Sequence, residues 1–286
     1  MAISRNGGAM NMEMSYGNDY HFLPVTSVRS GEGVEVSPDL FQLTVQIVNV
    51  AFIGNPEHGD WVLVDAGMPN RANDIIEAAE ERFGSGNPPQ AIVLTHGHFD
   101  HVGSIIECIE HWNVDVWAHK AELPYLTGKQ AYMPPDPTAD SGLVAKMSPW
   151  FPNEPIQLGS RVHALPSDGT VPHLPQWQWL LTAGHSPGHI SLFQESARAL
   201  VAGDAFVTVK QESIYNVILQ ELEINGPPKY FTPDWHAAKA SVGKLAKLNP
   251  ALAITGHGKP VEGDILTAGL RHLCDHFDRI AMPLNH

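Results

Sequence analysis

Cysteine is nearly absent from this chain: Cys108 and Cys274 are the only two in 286 residues. Two thiols so far apart in sequence exclude a disulfide framework and a cysteine-built zinc site. Each lies in an apolar periodic stretch, Val102 to Trp112 and Leu270 to Ile280, so both read as small core residues rather than reactive thiols. Positive charge is also scarce, with 17 Lys and Arg against 31 Asp and Glu and a formal net charge of −14. A surface that negative repels phosphate backbones, so nucleic acid is not expected as a partner. No apolar run reaches membrane length and no basic-then-apolar leader opens the chain. The expectation is a cytoplasmic protein with no membrane partner. Repeats with a period of about 20–50 residues are absent, and no feature sets the oligomeric state.

What is present is histidine, 16 residues of it. Their number decides little, but their grouping does. The apolar run Ala91-Ile92-Val93-Leu94 reads as a buried strand, and Thr95-His96-Gly97-His98-Phe99-Asp100-His101 follows at its carboxyl end. Around this cluster, strand-like stretches alternate with helical ones. Strands are expected through Phe41 to Ile53, Trp61 to Val64, Ala91 to Leu94 and Val114 to Ala118, with a helix over Asn73 to Phe83. Further short strands are expected at Arg161 to Leu165, Trp177 to Thr182, Ile190 to Gln194, Ala199 to Ala202 and Ala251 to Thr255. Helices are expected over Trp235 to Leu248 and Ile265 to Ile280. That alternation argues for an α/β layered architecture. Residues 1–20 lack an apolar period and read as a flexible tail, leaving 21–286 as a single domain. Within it, residues 124–155 form a proline- and aromatic-rich insertion, either a lid or a plain excursion over the core.

Three more strand ends repeat one device. Ala183 is followed by Gly184-His185, Ala202 by Gly203-Asp204, and Thr255 by Gly256-His257. Each is an apolar run giving way to glycine and then a side chain that can ligate a metal. Glycine lets the backbone turn sharply beneath a site. Together the strand ends offer His96, His98, Asp100, His101, His185, Asp204 and His257.

The pattern His-x-His-x-Asp-His, followed in order by His, Asp and His, resembles the metallo-β-lactamase superfamily. The match runs from about Val48 to Pro260. The resemblance implies a four-layer αββα sandwich with metals at one edge. It implies a first metal on His96, His98 and His185, a second on Asp100, His101 and His257, and Asp204 bridging them. Asp65, at the end of its own strand, would orient a ligand imidazole by hydrogen bonding. Imidazole and carboxylate ligands suit two zinc ions, with manganese or iron as other candidates. Two cations about 3.5–4 Å apart need an anionic bridge, and water shared between them falls in pKa toward about 7. The bridging hydroxide would attack a carbonyl or phosphoryl centre, and Asp100 can carry the proton to or from the reacting groups.

Departures narrow the branch. No cysteine stands at a ligand position, and Asp204 argues against a true β-lactamase. The stretch after His257 is too short for the helical substrate domain of glyoxalase II thioesterases. What remains resembles the lactonase and small-ester hydrolase branch, with a small-molecule ester, lactone or thioester as substrate. A mononuclear iron persulfide dioxygenase and a phosphodiesterase on the same fold are the alternatives. Tyr132, Trp150, Phe206, Tyr215 and Tyr230 are candidates for the substrate wall, with Phe151, Phe231 and Trp235 beside them. His189 is expected to hydrogen-bond its turn rather than ligate a metal.

Overall fold

In the computed structural model, which describes residues 13–21, 23–139, 142–209 and 222–283, the short apolar runs become strands of two mixed sheets. The first holds β1 (Gly33–Ser37), β2 (Leu40–Val45), β3 (Val48–Ile53), β4 (Val62–Val64), β5 (Ile92–Val93), β6 (Val116–Ala118) and β7 (Val162–Ala164), side by side in that order. β1 to β4 form an antiparallel meander, and β4 to β7 run parallel. Parallel neighbours need crossover connections. Between β4 and β5 this is α1 (Ala72–Phe83), and between β5 and β6 it is α2 (Phe99–Val102) with α3 (Ile105–Trp112). The β6–β7 connection carries α4 (Leu123–Leu126) and α5 (Leu143–Met147).

The second sheet holds β8 (Thr170–Val171), β9 (Leu174–Leu181), β10 (Ile190–Gln194), β11 (Ala199–Val201), β12 (Leu252–Ile254) and β13 (Val261–Glu262). Its order is β13-β12-β11-β10-β9-β8, and β11 with β12 is its parallel pair. The crossover between them includes α6 (Trp235–Lys247), and α7 (Gly263–Asp275) and α8 (Phe277–Ile280) follow β13.

The period-two alternation of side chains along each strand builds the layers. On β3, Val48, Val50 and Phe52 face the core shared with Ile75, Ala79 and Phe83 of α1 and Ile105 and Ile109 of α3. Ala51 and Ile53 face the other way, into a second core with Ile190, Leu192, Val201 and Ile254 of the opposite sheet. On β11 and β12, Leu200 and Ala253 turn outward to Ala238, Val242, Leu270 and Leu273 of α6 and α7. Helix, sheet, sheet, helix is therefore the stacking, the four-layer αββα sandwich expected.

Several elements differ from expectation. Residues 13–20, expected as part of a tail, pack against the domain. Ser15 pairs with Gln157 across an isolated bridge, and the Tyr16 hydroxyl donates to Glu107 at 2.5 Å while accepting from the Ile106 N–H. Asp19 accepts from the Asn153 and Glu154 N–H groups at 2.6 and 3.0 Å. The final helix breaks at His276, whose φ of −128° and ψ of 23° are not helical, and Phe277 then turns into the core beside Trp235. β8 and β13 are two-residue strands too short for a readable period, whereas β1 alternates Val34 and Val36 with Gly33 and Glu35. Cys108 is buried and Cys274 half-buried. No described helix is long and apolar enough to cross a membrane.

Because β4 and β5 run parallel in one sheet and β9, β11 and β12 in the other, their carboxyl ends gather at one edge of the sandwich. Asn49 of β3 ties the sheets together there. Its N–H donates to Gly256 O at 2.7 Å and its side-chain amide to Thr255 O and Gly258 O at 2.9 and 2.7 Å. The Ile190 N–H donates to Thr95 O at 2.9 Å across the same seam.

Candidate metal centre

At this edge the seven side chains from four strand ends converge. His96, His98 and His185 bring one nitrogen each within 4.8 Å of one another, as do the ligand atoms of Asp100, His101 and His257 and those of His96, His101 and Asp204. Asp204 lies between the two groups. One of its oxygens is 3.4 Å from His185 Nε2, 3.4 Å from His257 Nε2 and 3.6 Å from His101 Nε2. Asp100 stands 3.2 Å from His257 Nε2.

Hydrogen bonds behind the rings decide which nitrogen faces inward. Asp65, held at a left-handed φ of 64° at the end of β4, accepts from His101 Nδ1 at 2.8 Å and from the Thr95 N–H and hydroxyl at 2.7 Å. The Thr95 proton is thereby committed, so its oxygen accepts from His96 Nδ1 at 3.1 Å. Thr232 donates to Pro228 O and so accepts from His185 Nδ1 at 3.1 Å. The β2–β3 turn supplies Ile47 O to His257 Nδ1 at 2.9 Å. In each ring Nε2 is left for the interior. His98 differs: its Nδ1 faces His185 Nε2 at 2.9 Å, with the rings of Phe231 and Tyr132 packed on it at 4.7 and 4.4 Å.

The fit to a metal can be tested on the unsatisfied atoms. His96 Nε2, His101 Nε2 and Asp204 Oδ1 are buried and have no hydrogen-bond partner. Buried polar atoms are normally paired, so three orphans within one cluster of ligand-type side chains point to a cation there. Electrostatics agree. Burial, then the neighbouring imidazoles, hold His96 and His185 well below the ordinary histidine range, and burial lowers His98 to about 4. Three neutral imidazoles thus present lone pairs at no cost in deprotonation. In the second group burial opposes charge on His257, but Asp204 and Asp100 outweigh it and push the ring up to about 10. His101 moves up for the same reason, and its acidic neighbours Asp100 and Asp204 move down despite burial.

The sequence profile of the metallo-beta-lactamase superfamily matches residues 43–257. This chain belongs to the metallo-beta-lactamase superfamily. A Bacillus subtilis (strain 168) protein named as probable metallo-hydrolase YflN is 51% identical over 260 residues, spanning 91% of this chain and 98% of its own. The hydroxyacylglutathione hydrolase GloC of Haemophilus influenzae is 29% identical over 172 residues, 58% of this chain and 70% of its own. Among solved structures, TTHA1623 in a di-iron-bound form superimposes with a TM-score of 0.50 at 25% identity, covering 75% of this chain and 89% of that one. The metallo-beta-lactamase fold and its histidine and aspartate cluster make the chain a metal-binding hydrolase.

The remaining residues named from the sequence fall in different places. His189 is fully buried, takes the Asp204 N–H on Nε2 at 2.9 Å and meets Thr182 Oγ1 through Nδ1, so one nitrogen is used by its own turn and the other by the turn at Asp204. Of the aromatic candidates, Tyr132 packs on His98, but its hydroxyl is already engaged, donating to Glu122 and accepting from the Gly97 N–H at 3.0 Å. Phe206 is corrected: it lies fully buried among Trp235, Leu266 and Phe277, because the turn after Asp204 enters the outer helical core. Trp150 is 71% exposed at the end of a 3-10 turn. Tyr230 is buried against Phe151 and Phe231, and Tyr215 lies outside the described residues. Sequence reading missed Thr95, Thr232, Asn49 and above all Glu122. Burial raises the Glu122 carboxyl, and bonds from Tyr132, Ser186, Gly188 and Gly97 oppose that rise.

Gly256 shows how tightly the backbone is drawn under the centre. A Cβ there would overlap Asp204 Oδ1 and lie 2.9 Å from His101 Cε1. Gly256→Ala is therefore expected to displace Asp204 and lower metal stoichiometry, while far-ultraviolet circular dichroism stays native. Metal analysis after gel filtration checks it. Unchanged metal content would show that the turn can absorb a methyl group.

Proposed function

We propose that this chain is a dinuclear metal-dependent hydrolase of a small ester, lactone or thioester, and not a β-lactamase. The observation that carries the reading is Asp204, whose carboxylate faces imidazoles of both groups and keeps one oxygen without a partner. His96, His98 and His185 would hold one cation, Asp100, His101 and His257 the other, with Asp204 shared. Zinc suits this donor set, and manganese or iron also suits it; the di-iron form of TTHA1623 supports iron as a competitor. Bound divalent cations supply Lewis acidity and lower the pKa of coordinated water, so hydroxide is available near neutral pH.

The chain's own groups do the rest. Asp65 and Ile47 O fix the His101 and His257 rings so that their inward nitrogens hold position through the reaction. Asp100, at 8% the most exposed of the seven, stands at the mouth where it can pass a proton to the leaving oxygen or sulfur. Phe231 and Tyr132 flank His98 and exclude water from one side. The kinship with a hydroxyacylglutathione hydrolase supports a thioester among the candidate substrates.

The test is an activity panel on zinc-, manganese- and iron-loaded protein across lactones, thioesters, simple esters, phosphodiesters and β-lactams. Turnover of a lactone, thioester or ester is expected, with Asp100→Asn losing about 10²–10⁴-fold, the range for a positioned acid–base group. Turnover confined to phosphodiesters or β-lactams would overturn the reading, as would one iron per chain with oxygen consumption on a persulfide.

A further inference from the structure

Glu122 follows β6 and α4 begins beside it, at the foot of the metal centre but outside its ligand set. It is fully buried, and among the described residues no cation pairs with it. Four donors converge on its carboxylate instead, and they divide by oxygen. Oε2 accepts from the Gly97 N–H at 3.0 Å and from the Tyr132 hydroxyl. Oε1 accepts from the Ser186 hydroxyl at 2.8 Å and the Gly188 N–H at 2.7 Å.

The division matters because of where the donors lie. Gly97 sits between His96 and His98 on one loop, and Ser186 directly follows His185 on the other. These loops come from different sheets, and they supply all three nitrogens of the first group. The fit is close on both sides. A Cβ at Gly97 would come within 2.6 Å of the Tyr132 hydroxyl, and one at Gly188 within 2.9 Å of Glu122 Oε1. We infer that Glu122 is a positioning residue that sets the separation of the two loops and so the geometry of the His96, His98 and His185 group. One carboxylate oxygen serves each loop, and the fixed distance between them leaves the loops little freedom to drift apart. This inference rests on the proposed reading of those histidines as ligands.

Glutamine in place of Glu122 keeps the shape but replaces one acceptor oxygen with a donor. The Tyr132 and Ser186 hydroxyls can rotate to accept, whereas the backbone N–H groups of Gly97 and Gly188 cannot. Whichever way the amide faces, one backbone N–H, that of Gly97 or Gly188, loses its carboxylate acceptor, and Gly97 then keeps only the Tyr132 oxygen at 3.0 Å. The expected result for Glu122→Gln is binding at the first group weaker by about 10- to 100-fold, the usual consequence of removing an outer support of a metal site. The second group keeps its affinity.

Titration of wild type, Glu122→Gln and Ser186→Ala with Co²⁺ against a competing chelator reads both affinities. The ring N–H signals in the cobalt-loaded protein assign them: His185 Nδ1–H, bonded to Thr232, marks the first group, and His257 Nδ1–H, bonded to Ile47 O, marks the second. Selective weakening with a displaced His185 signal supports the inference, and Ser186→Ala should give a smaller loss of the same selectivity. Unchanged binding at the first group, or equal loss at both, overturns it. If Glu122→Gln does not fold, Ser186→Ala decides on the same criteria. A wild-type chain that takes up no cobalt would overturn the metal reading itself, a failure visible before any variant is made.

Discussion

If the two groups each hold a cation as proposed, Asp204→Asn is expected to leave one ion per chain at most and to lower turnover by about 10³-fold or more, because a metal acting as a Lewis acid is worth several kcal/mol and each 1.36 kcal/mol is tenfold. The reason is electrostatic. Two divalent cations in adjoining groups repel by on the order of 10–20 kcal/mol even at an effective dielectric constant near 20. Within the described residues Asp204 is the carboxylate that reaches both groups, from 3.4 Å to His185 and His257 and 3.6 Å to His101. Asparagine keeps the volume and the strand-end turn, so the fold should survive, but it removes the negative charge between the cations. Asp204→Glu keeps the charge and displaces it by one methylene, and should retain more metal than Asp204→Asn. Elemental analysis with steady-state kinetics checks both variants. Two ions per chain in Asp204→Asn, with turnover near wild type, would remove Asp204 from its shared role.

The frame around Asp204 was readable because each part of it is local. An apolar run of a few residues, a glycine and a ligand-type side chain follow one another at His185, Asp204 and His257, and an apolar run leads through Thr95 to His96, so strand and ligand are visible in one short window. The parts that escaped are made by distant contacts. Glu122 lies near no ligand in sequence, and it gains its role only when the 97 and 186–188 loops close around it. Residues 13–20 looked like a tail because Tyr16 and Asp19 find their partners some 90 and 135 residues away, at Ile106 and Glu154 (|i−j| of 90 and 135). The aromatic wall is hidden from the sequence for a related reason. Phe206, Trp150 and Tyr132 are equally apolar in the sequence, yet one fills a core, one faces solvent and one packs on His98. Composition identifies such rings, and only packing sorts them.

Removing metal with a chelator should lower the melting temperature by about 8 °C or more per ion lost, and restoring it should recover both stability and activity. The centre buries His96 Nε2, His101 Nε2 and Asp204 Oδ1 with no protein partner, and it sets His98 Nδ1 against His185 Nε2 at 2.9 Å. Each unsatisfied buried polar group costs about 1–3 kcal/mol. A ligand that binds only the folded state adds about 4 kcal/mol when present at a thousand times its dissociation constant. At about 2.1 cal/mol/K of unfolding entropy per residue, each kcal/mol moves the midpoint of a chain this long by about 2 °C. Acidification should narrow the gap between loaded and metal-free protein, because protons compete with metal for the imidazoles. Differential scanning calorimetry with and without chelator, at neutral and acidic pH, measures the gap directly. Identical melting curves at neutral pH would mean that the buried cluster is self-sufficient, and that its orphaned nitrogens are not waiting for a cation.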